Sequence, residues 1–174
     1  MSVLVIYESM FGNTEAIAEA VAEGVRQEAE HAPPGPDVTV VNVAEAPTSI
    51  PDDVTMLLVG GPTHAFSMSR ESTRADAVRE GATGSPRVGI REWIDACEPR
   101  ADLPVHTFDT RVHVRMMPGS AAKQAATALR HKGFRQAQRG ESFWVGGKEG
   151  PLSHDEVVRA RAWGAFLAGA LAPA

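Results

Sequence analysis

Ser9, Gly12, Asn13 and Thr14 gather two hydroxyls, one amide and one glycine into six consecutive positions, with Met10 and Phe11 between them. They follow an unbroken apolar run, Val3-Leu-Val-Ile-Tyr7, and precede a stretch in which Ile17, Val21 and Val25 recur every four residues while Glu15, Glu19 and Glu23 occupy another face. The run has the character of a strand covered on both faces, and the spacing predicts an amphipathic helix reaching Ala29. A strand that stops at a tight turn and feeds a helix leaves several backbone N–H groups without partners. They aim at one point, with the positive end of the helix dipole behind them. That point favours an anion, and Gly12 allows either the close approach of a phosphate or a positive φ. The same residues also suffice for a plainer role, in which Ser9 and Thr14 cap the helix and Gly12 makes a turn.

Motifs that are missing narrow the ligand. There is no G-x-x-x-x-G-K-[ST] sequence and no G-x-G-x-x-G after the strand, which argues against a triphosphate loop and a Rossmann dinucleotide site. The first basic side chain is Arg26, so a phosphate at this loop is expected to be held by neutral donors and the helix dipole. Cys97 is the only cysteine, which removes intramolecular disulfides and cysteine-based metal clusters, and its apolar surroundings suit a buried thiol. The six histidines show no metal-ligand spacing, and no metal site is expected.

The elements that must position this loop can be read in order. With 174 residues and 43% apolar content, the chain suits one domain, residues 1–174. Pro33–Pro36 forces a loop, Val38–Val43 reads as a second strand, and Thr55–Gly60 reads as a third that ends at Gly61-Pro-Thr-His-Ala-Phe66. Residues 67–86 are highly charged and predict an exposed loop with a helical segment. Ile90, Trp93, Ile94 and Cys97 predict a helix, Val105–Thr110 a fourth strand, and Ser120–Lys132 a helix closed by Gly133. The last strand reads as two pieces, 134–138 and 141–145. A final helix follows, with Ser153 and Glu156 as a capping box, Leu152 and Val157 as a hydrophobic staple, and Trp163, Phe166, Leu167 and Leu171 on its apolar face. Strands alternating with helices predict an α/β three-layer α/β/α sandwich around a five-stranded parallel sheet of order 2-1-3-4-5.

Two loops then carry a resemblance. Tyr7-Glu-Ser-Met-Phe-Gly-Asn-Thr14 resembles the FMN-phosphate loop of flavodoxins, [ST]-x-[ST]-G-x-T, and is similar to the corresponding loop of flavodiiron proteins; Phe11 stands at the family's second hydroxyl. Gly61-Pro-Thr63 resembles the family's G-x-P-T loop, which packs on the flavin ring. The resemblance implies a short-chain, flavodoxin-like protein that binds FMN through Ser9, Met10, Phe11, Gly12, Asn13 and Thr14. It extends the flavin contacts to Pro62, Thr63, His64, Ala65 and Phe66 and, along the flavin edge, to Asp109, Thr110 and Arg111 where relatives carry a glycine-rich or acidic loop. His64 or Phe66 could stack on the ring, or they could be an ordinary loop histidine and a core side chain. Asp109 could face the ring or merely cap its loop.

The function implied is electron transfer between redox partners. The alternatives are an FMN-dependent NAD(P)H:quinone or small-molecule reductase, and a flavin-free interaction protein of the same fold. Net charge is −5, with ten acidic and one basic side chain in residues 1–63 but eight acidic and thirteen basic in residues 64–140. The basic stretch containing Arg70, Arg74, Arg79, Arg87 and Arg91 is therefore a candidate docking surface for an acidic redox partner or cofactor, or else a solvated loop. No nucleic-acid surface is implied. The apolar runs are shorter than the ~20 residues of a membrane span. The N-terminus reads as a strand rather than a signal peptide, so a cytoplasmic protein is expected.

Overall fold

A computed structural model describes residues 1–31, 35–113 and 119–171. The elements run β1 (Ser2–Tyr7), α1 (Asn13–His31), β2 (Asp37–Asn42), β3 (Val54–His64), β4 (Ser67–Met68), α2 (Glu71–Arg79), α3 (Ile90–Ala96), β5 (Val105–Val112), α4 (Ala121–Lys132), β6 (Ala137–Val145) and α5 (Glu156–Gly169). Five strands form a parallel sheet of order β2-β1-β3-β5-β6, and β4 adds to the end of β3 as a short antiparallel pair. Counting the parallel strands alone, this is the expected 2-1-3-4-5 order. Part of the proline loop, 32–34, and part of the segment after β5, 114–118, lie outside the described residues.

Alternation along the strands builds the two outer layers. Val3, Val5 and Tyr7 of β1, with Met56 and Leu58 of β3, join Ile17, Val21 and Val25 of α1 and Ala160 and Leu167 of α5 in one core. Leu4, Ile6, Leu57 and Val59 point the other way, onto Ile90, Trp93 and Ile94 of α3 and Ala125 and Leu129 of α4. The helix pair α1–α5 is drawn together by small residues. A Cβ on Gly164 would lie 2.0 Å from the Val21 carbonyl oxygen, and one on Gly24 would lie 1.9 Å from that of Arg161. The backbones thus meet where any side chain would separate them.

Several elements depart from the sequence reading. Strand β3 does not stop at Gly60 but continues to His64, because Gly61 and Pro62 pair with Asp109 and Thr110 of β5, and Thr63 and His64 pair with Met68 and Ser67. The turn between is made by Ala65 and Phe66, at φ 45° and 68°. Strand β6 is continuous, and the apparent break at Gly140 is a bulge: Thr107 pairs with Arg139 but Asp109 with Ser142.

The start of α5 is also different. Its N-cap is Asp155, with φ 65°, and the Glu156 carboxylate accepts from the Trp144 N–H at 2.9 Å and pairs with Arg159 instead of closing a capping box. Val157 is exposed, so no staple forms, and Phe166 on the same helix is 72% exposed rather than packed on the sheet. No described helix is long and apolar enough to cross a membrane.

Residues 67–86 are more structured than their charge suggests. Arg74 is fully buried, and its guanidinium donates to Ser69 Oγ (2.8 Å) and the Pro86 carbonyl (3.0 Å) and pairs with Glu92 (3.0 Å). The Ser69 hydroxyl donates in turn to Glu8, whose other carboxylate oxygen accepts from the Ile90 N–H at 2.9 Å. Burial pushes the Glu8 carboxyl up from its ordinary value, against the hydrogen bonds from Ser69 and Ile90 and the charge of Arg74. Arg74 therefore ties α2 to the end of β1 and the start of α3, and it cannot belong to a docking surface. Arg91 is likewise engaged, donating to the Met68 carbonyl at 3.1 Å and the Ser69 carbonyl at 3.3 Å.

Candidate functional site

A cavity of about 300 Å³ lies at the C-terminal ends of β1, β3, β5 and β6. This is the switch point of the sheet, where strands β1 and β3 leave toward opposite faces and ligands of such folds bind. Its lining comes from the β1–α1 loop (Ser9, Met10, Phe11, Asn13, Thr14), the β3–β4 hairpin (Pro62, Thr63, His64, Ala65), α2 (Thr73, Asp76), the end of β5 (Thr110, Arg111, Val112) and the end of β6 with its following loop (Val145, Gly147, Lys148).

The β1–α1 loop keeps donors in reserve. Gly12, at φ 87°, turns the chain so that its N–H donates to Ser9 Oγ at 3.1 Å, which leaves the Ser9 O–H proton available. Thr14 Oγ1 and Thr110 Oγ1 share a hydrogen bond of 2.7 Å. Two hydroxyls joined by one bond have one proton left over for a ligand. The first N–H groups of α1 have no partners within the helix, and they belong to a turn whose Asn13 and Thr14 line the cavity.

Phe11 anchors the loop. It packs against Met10, Ala77 and Ala82, and the Met10 carbonyl accepts from the N–H groups of Thr83 (3.1 Å) and Gly84 (3.2 Å). The segment that follows α2 thus backs the loop from outside the sheet. A loop held from both sides loses less entropy when it takes a ligand.

The wall also carries apolar groups, Pro62, Ala65, Val112 and Val145. Burial, followed by the charges of Lys148 and Arg74, holds His64 below its ordinary value, so its ring is neutral at pH 7 and suited to lie against another ring. Arg111 places its guanidinium 5.5 Å from the centre of the Trp144 ring, and His113 meets the same ring edge-on at 4.7 Å.

The structure brings together eleven of the fourteen residues expected here, and the other three lie close by without forming the wall. Gly12 shapes the turn. Phe66 sits at the exposed hairpin tip, 48% accessible, and is not a core side chain. Asp109 is fully buried and turned toward α4: its Oδ2 accepts from Ser120 Oγ (2.6 Å), the Ala122 N–H (3.0 Å) and Thr63 Oγ1 (3.0 Å). The expectation of a carboxylate at the ring edge is corrected accordingly. Asp109 acts through Thr63, whose oxygen also accepts from the Ala121 N–H at 2.9 Å, so it fixes the β3–β4 hairpin to α4. The other carboxylate oxygen, Oδ1, is buried without a hydrogen-bond partner among the described residues.

Thr73, Asp76, Val112, Val145, Gly147 and Lys148 were not anticipated. For Lys148 a signal existed: Gly146-Gly-Lys-Glu-Gly150 directly follows the C-terminal end of a strand, where ligand loops of these sheets lie. It puts a cation in the cavity wall beside the neutral donors. Thr73 and Asp76 had no local signal. Burial pushes the Cys97 thiol up to about 11, so it is an inert core group, and no His, Cys, Asp or Glu cluster suited to a metal occurs among the described residues.

The architecture and the position of the cavity define a flavodoxin-like α/β fold. No protein-family model and no curated protein matches the sequence. Among solved structures, oxidised flavodoxin 1 from Bacillus cereus matches with a TM-score of 0.69 at 16% identity, over 99% of this chain and 100% of that one. A flavodoxin from the domain Archaea matches at 0.63 and 17% identity, over 98% and 99%. The rubredoxin oxygen:oxidoreductase of Desulfovibrio gigas matches at 0.60 and 18% identity; it covers 98% of this chain, which spans only 36% of that enzyme. At such identities the likeness is one of fold.

Proposed function

We infer that this chain binds FMN without a covalent bond and carries electrons between redox partners. One observation carries the reading: a single cavity is lined both by donors, Ser9, Asn13 and Thr14, and by apolar groups of the β3–β4 hairpin and the end of β5, Pro62, Ala65 and Val112. A phosphorylated chain bearing a flat ring has that polarity. The donor set also fits, since two hydroxyls, an amide, the first turn of α1 and the ammonium of Lys148 all suit a phosphate.

When bound, FMN supplies the electron-transfer chemistry, and the protein supplies binding, orientation and electrostatics. Ser9, Asn13 and Thr14 hold the phosphate end. His64 offers a neutral ring as a wall, while Ala65 and Val112 exclude water. Arg111 brings a positive charge beside the cavity and so favours electron density on whatever lies there. For a partner protein, Arg70 and Arg79 remain exposed beside α2, and Arg79 pairs with Asp76 on its own helix.

The test begins with the absorption spectrum of freshly purified protein and a titration of apoprotein with FMN. Flavin absorbance with one-to-one rebinding supports the reading. A colourless protein that takes up no FMN would overturn it in favour of an interaction protein of the same fold. Rapid multiple turnover of NADPH and a quinone by the isolated holoprotein would replace the carrier with a reductase.

A further inference from the structure

The loop between β6 and α5 is seated on the start of α1. The Asn13 side-chain amide donates to the Glu149 carbonyl at 3.0 Å, and the Gly146 N–H donates to the Pro151 carbonyl at 2.8 Å. Gly150, at φ 109°, approaches so closely that a Cβ there would lie 2.7 Å from Asn13 Oδ1. Lys148 is next to Glu149 in the chain, so its backbone is held beside the first residue of α1. Its side chain joins Ser9, Asn13 and Thr14 in the cavity wall.

The ammonium of Lys148 pairs there with Glu80, just past the end of α2. Neither element needs this pair. Arg74 already anchors α2, Asn13 already anchors the loop, and the two side chains are 56% and 46% exposed, a setting in which ion pairs add little stability. A cation beside the N-terminal end of a helix is electrostatically unfavourable by itself. It becomes favourable when an anion sits between the two.

We propose that Lys148 is the cationic ligand of the flavin phosphate, exchanging Glu80 for the phosphate as the cofactor enters, so that this site selects phosphorylated over unphosphorylated flavin. The proposal rests on the FMN reading above. Glu80 is the competitor that holds the ammonium in place beforehand. Because the Lys148 and Glu80 side chains are both half-exposed, the exchange weakens as salt rises.

The test is titration of apoprotein with FMN and, separately, with riboflavin, for wild type, Lys148→Met, Glu80→Gln and the double variant, with thermal midpoints as the control for folding. Lys148→Met is expected to bind FMN about tenfold more weakly, with riboflavin affinity and midpoint unchanged. Glu80→Gln is expected to tighten FMN about twofold, and to do nothing in the Lys148→Met background. Equal FMN affinity in Lys148→Met and wild type would overturn the proposal, as would a parallel loss of FMN and riboflavin. Failure of the wild type to bind FMN at all would remove the underlying reading and this assignment with it.

Discussion

Replacing Arg74 with Met keeps most of the side chain's volume while removing a cation that stands between Glu8 and Glu92. The guanidinium contacts Ser69 Oγ at 2.8 Å, the Pro86 carbonyl at 3.0 Å, the Glu92 carboxylate at 3.0 Å and the Arg87 carbonyl at 3.5 Å. Removing one partner of a buried ion pair costs about 3–5 kcal/mol. The two carboxylates share that cost unequally, because the Glu92 side chain is 39% exposed and can recover water, whereas Glu8 is only 3% exposed. A loss near the lower bound, about 3 kcal/mol, is therefore expected, corresponding to a fall of about 6–12 °C in Tm for a chain of this size.

The loss should depend on pH in a defined direction. Burial already raises the Glu8 carboxyl, and without Arg74 its protonated form is favoured further. A carboxyl raised on folding contributes stability that is fully present below its unfolded value of 4.5 and is lost as pH rises through the folded value. The deficit of Arg74→Met should thus shrink between about pH 7 and about pH 5. Adding Glu8→Gln should recover part of it, since a glutamine can still accept from the Ile90 N–H without a buried charge. Urea unfolding of wild type and the two variants at both pH values measures all of this. A deficit below about 0.5 kcal/mol, or one that does not change with pH, would refute the role given to Arg74.

Three further outcomes are expected. Thr14→Ala loses a hydroxyl that faces the cavity and bonds Thr110, so FMN affinity should fall roughly 10- to 150-fold in a fluorescence titration; an unchanged Kd would exclude that hydroxyl from the binding set. Gly164→Ala would place a methyl 2.0 Å from the Val21 carbonyl oxygen. Urea unfolding should show a loss of about 1–3 kcal/mol, and wild-type stability would mean that α1 and α5 are not in backbone contact. His64 and His106 are both held below their ordinary 6.5 by burial, so the unfolded chain takes up protons that the folded chain refuses and stability falls as pH drops through that value. Between about pH 8 and about pH 5.5, a His64→Gln/His106→Gln double variant should lose less stability than wild type. An equal loss would assign the acid sensitivity to other groups.

The features legible from the residue pattern are local and periodic. The apolar run Val3–Tyr7, the four-residue spacing of Ile17, Val21 and Val25, and the donors from Ser9 to Thr14 specify a strand, a helix and the turn between them, because each is set by residues within one or two turns of one another. Alternation of such units then prescribes the parallel sheet and its order, and hence the place of the cavity. Tertiary structure decided matters that depend on residues far apart in the chain. The charged stretch 67–86 looks solvated until Arg74 finds Glu92, Ser69 and, through Ser69, Glu8, which lies sixty-one positions before that serine. Asp109 looks poised for a flavin edge until Ser120 and the N–H of Ala122 claim its carboxylate. The Ser153–Glu156 cap is lost because the Glu156 carboxylate meets a better donor set in Trp144 and Arg159. A polar side chain takes whichever partner the assembled fold brings within hydrogen-bonding distance, and sequence neighbours are only some of the candidates.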